Sequence, residues 1–384
     1  MGADVRVIKF GGSSFLSASD YSDVAAYLAE RLRRDSDRLI VVVSAGSGTT
    51  GRLLEMTRGI NASPPAAALD GILATGEMVS AGLLEVALEG RGIPAISLTG
   101  FTVGIRSDDT FTRARIKNVD LAPMRDAIAR RRVVIVAGGQ ALAACGRLAM
   151  LGRNSSDLSA IVIAGALRLG ECEIFSDVPG VYTADPYLVP SAHLLPQIPF
   201  EALAAMSRHG AKVLHYAAVE QAAGCNIRIK CSSMQPEETT GTIVGEGNFP
   251  AAVVTNLRCR VLNYASAERR DLAMAELATR GIVAVAAMQH GTPRLAVVDQ
   301  SPMVEQELAE AGLAPLQTSD GAVIAAFASA GTPRVLITRA EDAAAIACRL
   351  HAELYPDNLA VESTTRRTKQ RSNLSGALLG TVGE

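Results

Sequence analysis

Up to about residue 245, short apolar runs alternate with stretches of helical periodicity, which restricts this part of the chain to an α/β layout with a mostly parallel sheet sandwiched by helices. The strand candidates are Val5–Phe10, Leu39–Ser44, Ile93–Leu98, Val133–Ala137, Glu173–Phe175 and Ile227–Lys230. Between the first two, Ser19 or Asp20 opens a helix with Val24, Leu28 and Leu32 along one face. Pro64-Pro65 marks a break, and the helix Thr75–Leu88 is expected to carry Glu77 in its first turn. Ser156-Asp157 is expected to cap a helix running through Ile161 and Ala164 to Leu167.

The character changes at Gly245–Pro250, a turn-rich linker. Arg260–Asn263 (strand), Glu268–Thr279 (helix), Val283–Met288 and Arg294–Val298 (strands) and Val304–Ala311 (helix) form a βαββα-like α+β unit. Ala322–Phe327, Arg334–Thr338 and Asp342–Leu354 suggest a second, shortened unit. Beyond Glu362 the chain is polar and charged and is expected to fray. The expected division is 1–246, 252–358 and a tail 362–384.

Composition removes several classes of function. The formal net charge is -2, far from the basic footprint of a nucleic-acid binder, and Trp 0, Phe 8 and Tyr 7 leave few base-stacking platforms. The six cysteines are scattered, with no CxxC pair, and read as reduced thiols. The amino terminus enters a strand directly and no apolar run nears 18 residues, so neither leader nor membrane span is expected and the cytoplasm is the expected compartment.

Five clusters carry chemistry. Lys9-Phe10-Gly11-Gly12-Ser13-Ser14 ends the first strand, where glycines let backbone N–H groups approach a polyphosphate and a lysine supplies a point charge. Alone it also describes a simple tight turn. Thr75-Gly76-Glu77 offers a carboxylate for an ammonium group, or merely a complement to a helix dipole. Gly152-Arg153-Asn154-Ser155-Ser156-Asp157 offers Arg153 to clamp a carboxylate and Asp157 to orient a lysine or hold a metal-phosphate complex, or is an ordinary capped helix. Ser176–Pro186 follows an apolar strand, where α/β folds bind ligands. His209–His215 contributes Lys212, a second cation or a solvated one.

In this order and spacing the clusters resemble aspartokinase, of the amino-acid kinase superfamily. Lys9–Ser14 is similar to that family's KFGGTS, Thr75–Ser80 to TGE(M/R)xS, Gly152–Asp157 to GRGGSD, Ser176–Pro186 to (T/S)DVxGVYTADP and Gly210–His215 to GAKVLH, over roughly residues 5–245. The resemblance implies an amino-acid-kinase-type catalytic domain that phosphorylates L-aspartate to 4-phospho-L-aspartate with ATP, Mg2+ being held mainly through the phosphates and no protein metal site being needed. It implies that Lys9 and Lys212 balance charge on the γ-phosphoryl group while Asp157 orients them. Backbone N–H groups of Gly11 and Gly12, with Ser13, would cradle phosphate. Ser176, Asp177, Tyr182 and Lys212 would contact nucleotide. Glu77 would take the substrate's α-ammonium and Arg153 its α-carboxylate, with Ser44, Thr50 and Ser156 lining the site. The carboxyl-terminal region resembles degenerate ACT domains, implying a homodimer or higher homo-oligomer through it.

The departures fall on the acceptor side. Asn154-Ser155 replaces Gly-Gly, Gly138-Gly139 replaces glycine-phenylalanine, Tyr187 stands where arginine is frequent and Tyr216 where proline is usual. They leave open a kinase of another amino acid or an aspartate analogue. A non-catalytic effector-sensing pseudokinase is the third reading. Joint retention of Lys9, Glu77, Arg153, Asp157, Asp177 and Lys212 argues against it.

Overall fold

A computed structural model describes residues 5–34, 38–152, 155–211, 213–234, 241–289, 291–298, 304–328 and 331–356. The chain begins β1 (Val5–Phe10), α1 (Ala18–Arg34), β2 (Arg38–Val43), α2 (Thr49–Ile60), α3 (Ala66–Glu89), β3 (Ala95–Leu98), β4 (Ile105–Ser107) and β5 (Ile116–Val119). It continues α4 (Ala122–Arg130), β6 (Val133–Ala137), β7 (Gln140–Ala143), β8 (Leu148–Met150), α5 (Ser156–Ala166) and β9 (Glu171–Phe175). Next come β10 (Gln197–Ile198), α6 (Phe200–Arg208), α7 (Tyr216–Cys225), β11 (Arg228–Ser232) and β12 (Thr242–Val244).

The large sheet has eight strands in the order β10-β12-β11-β9-β1-β2-β6-β3, parallel except between β11 and β12. Strands β2, after Arg38, and β6 are apolar because both faces of the sheet are covered, while β1 and β9 add a few charged side chains. Val7, Ile40, Val42, Val134 and Val136 pack with Ile161 of α5 and Val219 of α7, while Ile8, Phe10, Val41, Val43 and Ile135 pack with Leu28 of α1 and Leu84 of α3. All six strands expected from the sequence lie in this sheet. A second, four-stranded sheet, β5-β4-β7-β8, gave no such signal, since its strands are short and partly polar.

Helix α3 begins at Ala66 rather than Thr75, because Ala66–Leu73 is good helix-forming sequence directly behind Pro65. Glu77 is therefore in mid-helix, not in a first turn. By length and composition alone α3 could cross a membrane, which corrects the reading that no such apolar run exists. Here it packs through Leu69, Ala74, Ala81, Leu84 and Leu88 and carries two buried acids, Asp70 and Glu77.

The remaining elements are β13 (Ala252–Asn263), α8 (Ala267–Thr279), β14 (Ala284–Gln289), β15 (Thr292–Val297), α9 (Val304–Glu310), β16 (Gln317–Phe327), β17 (Arg334–Thr338) and α10 (Ala340–Leu354). They do not make two separate units. One antiparallel sheet, β14-β15-β13-β16-β17, holds all five strands, because β13 and β16 are long enough to serve both halves. A bulge between Asn256 and Cys259 marks the change. The sheet rolls around Val261, Val285, Ala287, Ala296, Val323 and Ile337.

Two arginines from the loop before β5 dock on the far end of α8. Arg113 donates to the Arg280 carbonyl (3.1 Å) and to Glu307 of α9 (2.5 Å), and Arg115 donates to the Thr279 carbonyl (2.5 Å). Both satisfy carbonyls that a helix end leaves unpaired. Since the Arg113–Glu307 pair is largely enclosed, Arg113→Ala should cost about 3 kcal/mol of stability by stranding Glu307. Adding Glu307→Gln should recover part of it, as a double-mutant cycle read by urea denaturation will show.

Candidate active site

Parallel strands β9, β1, β2 and β6 end at one edge of the large sheet and deliver the segments 176–186, 11–14, 44–50 and 138–139 to it. Strand β1 lies between β2 and β9, the point where an open α/β sheet forms its ligand crevice. Side-chain alternation along β1 puts Lys9 on the same face as Val7, toward α5. There its Nζ lies 2.7 Å from Asp157 Oδ1, with the two side chains only 11% and 5% exposed, so this is an enclosed ion pair rather than a surface one. The other carboxylate oxygen accepts the backbone N–H of His215 (3.2 Å). Asp157 does not cap its own helix as expected. Ser155 is the N-cap residue, without a capping bond, and its hydroxyl donates to the Gly152 carbonyl (2.7 Å), leaving Asp157 for Lys9. Cys172 and Cys231 are fully buried beside this pair; burial raises both thiol pKa values, that of Cys231 to about 12, so both stay neutral.

The phosphate turn corrects one expectation. The Gly11 N–H donates to the Phe175 carbonyl (3.1 Å) and so extends the sheet instead of facing a ligand. A Cβ at position 11 would lie 3.4 Å from Lys9 Nζ and from the Phe175 carbonyl, at ordinary contact distance. Gly12 and Ser13 open a short 3-10 turn, where backbone N–H groups lack partners within the turn, so free donors begin one residue later. A Cβ on Gly12 would stand 2.7 Å from the Ala45 carbonyl oxygen, which makes glycine obligatory for this approach.

On the acceptor side, α3 rests on the segment after β2. A Cβ at Gly76 would meet the Ala45 side chain at 2.9 Å, and the close approach lets Glu77 Oε1 accept the Ala45 N–H (3.4 Å). Glu77 Oε2 is buried without a partner among the described residues. Burial pushes the Glu77 carboxyl up to about 7, against the lowering effect of its backbone hydrogen bonds. Ser44 is tied to the Phe10 carbonyl through its N–H, and Thr50 lies in the first turn of α2. Ser156 packs against Gly138, where a Cβ would lie 2.6 Å from its own. Gly139 has φ +73°, and a Cβ there would meet Ser155 Oγ at 3.0 Å. Arg153 and Lys212 lie outside the described residues, as do Asn154 and the segment 362–384.

On the remaining side, Ser176 donates its hydroxyl to the Val178 carbonyl (2.8 Å), Asp177 is exposed and Tyr182 is half-buried in a bridge with Leu194. Gly180 presses on Thr242, whose hydroxyl accepts from the Val181 N–H (2.8 Å) and donates to Leu195 O (2.6 Å), fixing the loop. Tyr187 is exposed, and Tyr216 donates to the Gly281 carbonyl (3.4 Å).

Two supports escaped the sequence reading. Asp70, two turns before Glu77 on α3, accepts the N–H groups of Thr112 and Met150 (both 2.8 Å), and burial pushes its carboxyl up to about 6. Gln140 donates to the Ala74 carbonyl (2.7 Å) and accepts from Gly100 (3.0 Å), bracing the same helix. Among the described residues no group of three or more His, Cys, Asp or Glu could hold a metal ion.

Residues 4–232 match the model of the amino acid kinase family. The chain belongs to that family. The chain is 41% identical over 253 residues to the aspartate kinase of Pseudomonas putida, covering 65% of this chain and 61% of that protein. An aspartokinase of Pseudomonas aeruginosa is 41% identical over 224 residues, 58% of this chain and 54% of that one. The chain thus spans about three-fifths or less of these relatives. Among solved structures, E. coli aspartokinase III in complex with aspartate and ADP superposes with a TM-score of 0.71 at 21% identity, covering 92% of this chain and 100% of that one. At that identity the likeness shows the fold alone.

Proposed function

We propose that the chain is an ATP-dependent kinase that transfers the γ-phosphoryl group to the side-chain carboxylate of L-aspartate, forming 4-phospho-L-aspartate. The observation that carries the proposal is the enclosed Lys9–Asp157 pair at the sheet's ligand edge, with the buried, half-partnered carboxylate of Glu77 on the acceptor side. Aspartate's side-chain carboxylate is already a nucleophile and needs no general base. It attacks phosphorus as the bond to the bridging oxygen of ADP breaks, so catalysis reduces to alignment and charge neutralisation. Lys9 supplies positive charge to the transferring group, and Asp157 holds that ammonium in place. Gly12 and Ser13 offer N–H donors to phosphate oxygens, and Ser176, Asp177, Tyr182 and Lys212 form the nucleotide side. Glu77 takes the α-ammonium and Arg153 the α-carboxylate, with Ser44, Thr50 and Ser156 around them. Mg2+ would enter with the phosphates, which supply most of its oxygen ligands.

A second reading, another amino acid or an aspartate analogue as acceptor, is favoured by Ser155, whose hydroxyl lies beside the side-chain-free Gly139. Hydroxylamine trapping of the acyl phosphate, run across aspartate, glutamate and close analogues, separates the readings. Aspartate is expected to give the hydroxamate. Turnover with an analogue alone would move the assignment to the second reading, and ATP binding without any turnover would overturn the kinase. The rolled carboxyl-terminal sheet we read as a degenerate ACT-like module that joins copies of the chain, a reading supported by the exposed apolar side chains of Leu272 and Met288. Light scattering of the native protein tests it.

A further inference from the structure

We propose that His351, on the last helix, is a positioning residue for the nucleotide loop. The proposal rests on the kinase reading above. His351 comes from α10, which packs through Ala343, Ala347 and Leu350 against Val253, Ala322 and Ile324 on one side and Ala184 and Val189 of the loop on the other. Its ring is fully buried (0% exposed) and bridges two hydroxyls: Nε2 lies 2.9 Å from Thr183 Oγ1 and Nδ1 3.1 Å from Ser191 Oγ. Thr183, also 0% exposed, directly follows Tyr182, the residue assigned to nucleotide.

Thr183 is held on every polar atom. Its N–H donates to the His193 carbonyl (3.0 Å), its carbonyl accepts from Val253 (2.8 Å) and its hydroxyl accepts from the His193 N–H (3.1 Å). A hydroxyl carries one proton and two lone pairs; besides the His193 N–H it meets His351 Nε2 at 2.9 Å and, at the longer distance of 3.5 Å, His193 Nδ1, so His351 is the nearer of its two ring contacts. The imidazole has a matching position of its own, tilted by 33° against Tyr355 at 4.8 Å between ring centroids, while Tyr355 donates to Ala251 O (2.5 Å). A helix that only needed to fill this space would do so with an apolar side chain, because a buried polar ring costs stability unless both nitrogens are satisfied. Satisfying both here fixes the Thr183 rotamer and the plane of the loop behind Tyr182. The acceptor-side residues Glu77, Ser44 and Thr50 belong to α3, the segment after β2 and α2, whereas the hydrogen bonds of His351 go to Thr183 and Ser191.

The test is a split between the two substrates. His351→Ala is expected to weaken ADP binding, measured calorimetrically without acceptor, on the order of 10-fold, as loss of a buried hydrogen-bond partner does. The KM for the amino acid should change less than about twofold, and His351→Gln, which can reach one hydroxyl, should recover much of the loss. A folded His351→Ala with unchanged ADP affinity, or with equal losses for both substrates, overturns the proposal. If His351→Ala does not fold, Ser191→Ala decides. Removing the ring's outer partner should weaken ADP binding by about threefold, and an unchanged affinity overturns the idea. Wild-type protein that binds no nucleotide would instead overturn the kinase reading itself.

Discussion

Lys9→Met is expected to lower kcat on the order of 10²-fold or more, while far-ultraviolet circular dichroism and the melting transition still report a folded chain. Methionine keeps the stem's volume and flexibility, so the packing of β1 against α5 is disturbed little. The charge is what is lost. Lys9 Nζ sits 2.7 Å from Asp157 in a site closed to bulk water, where screening is weak. Without it, Asp157 presents an uncompensated negative charge to incoming phosphates, so the loss exceeds what an absent donor alone would cause. The double variant Lys9→Met, Asp157→Asn should therefore be less impaired than the two single losses added together. Single-turnover measurements of acyl phosphate formation distinguish this from slowed product release. A kcat within tenfold of wild type would remove Lys9 from the reaction. Arginine should not rescue: Nζ pairs as a point charge with Asp157 in an enclosed position, and a planar, longer guanidinium cannot keep that geometry.

How far the sequence revealed this arrangement depends on the physical range of each signal. β6 was legible to the residue because a strand buried on both faces writes a continuous apolar run, and β1 because Val5, Val7, Ile8 and Phe10 form a short apolar strand ending at a glycine turn. The small sheet around Gln140 and Met150 was not, since three- and four-residue strands leave no periodicity to read. Lys9 and Asp157 were legible as charges at the ends of elements. Their pairing was legible only through the order of the motifs. The direction of the Gly11 N–H and the true start of α3 were hidden, because both depend on which neighbour the fold brings close. Thr183 and His351 are 168 positions apart, and neither sits in a pattern that names the other. Glu77 shows both limits at once. The residue type was legible, but its burial in mid-helix, which sets its chemistry, was not.

That burial makes Glu77 the source of the second large effect. Its carboxyl is pushed from the ordinary 4.5 up to about 7. Below that pH the free enzyme holds it neutral, and a neutral acid cannot pair with an ammonium group. Above it the carboxylate is charged and buried, with Oε2 unpartnered, and a substrate ammonium supplies what it lacks. kcat/KM for the amino acid should therefore rise about tenfold between about pH 6 and 8, following the ionised fraction of a group titrating near 7. Glu77→Gln preserves the shape and the Ala45 contact but removes the charge. It should raise KM for the amino acid on the order of 10²-fold, with a smaller effect on kcat, and flatten the profile across that window. Asp70 also titrates high, near 6, but it remains in the Glu77→Gln variant, so any slope that survives there belongs to it. Stability moves the other way. A pKa raised by folding contributes stability at acidic pH that is lost as pH rises through the folded value, so the ligand-free protein should lose this contribution between about 4.5 and 7. The amino acid offsets that loss by pairing its ammonium with the buried carboxylate charge, so its thermal stabilisation of the enzyme should be larger at pH 8 than at pH 6. Equal thermal shifts at the two pH values would place the ammonium somewhere other than on Glu77.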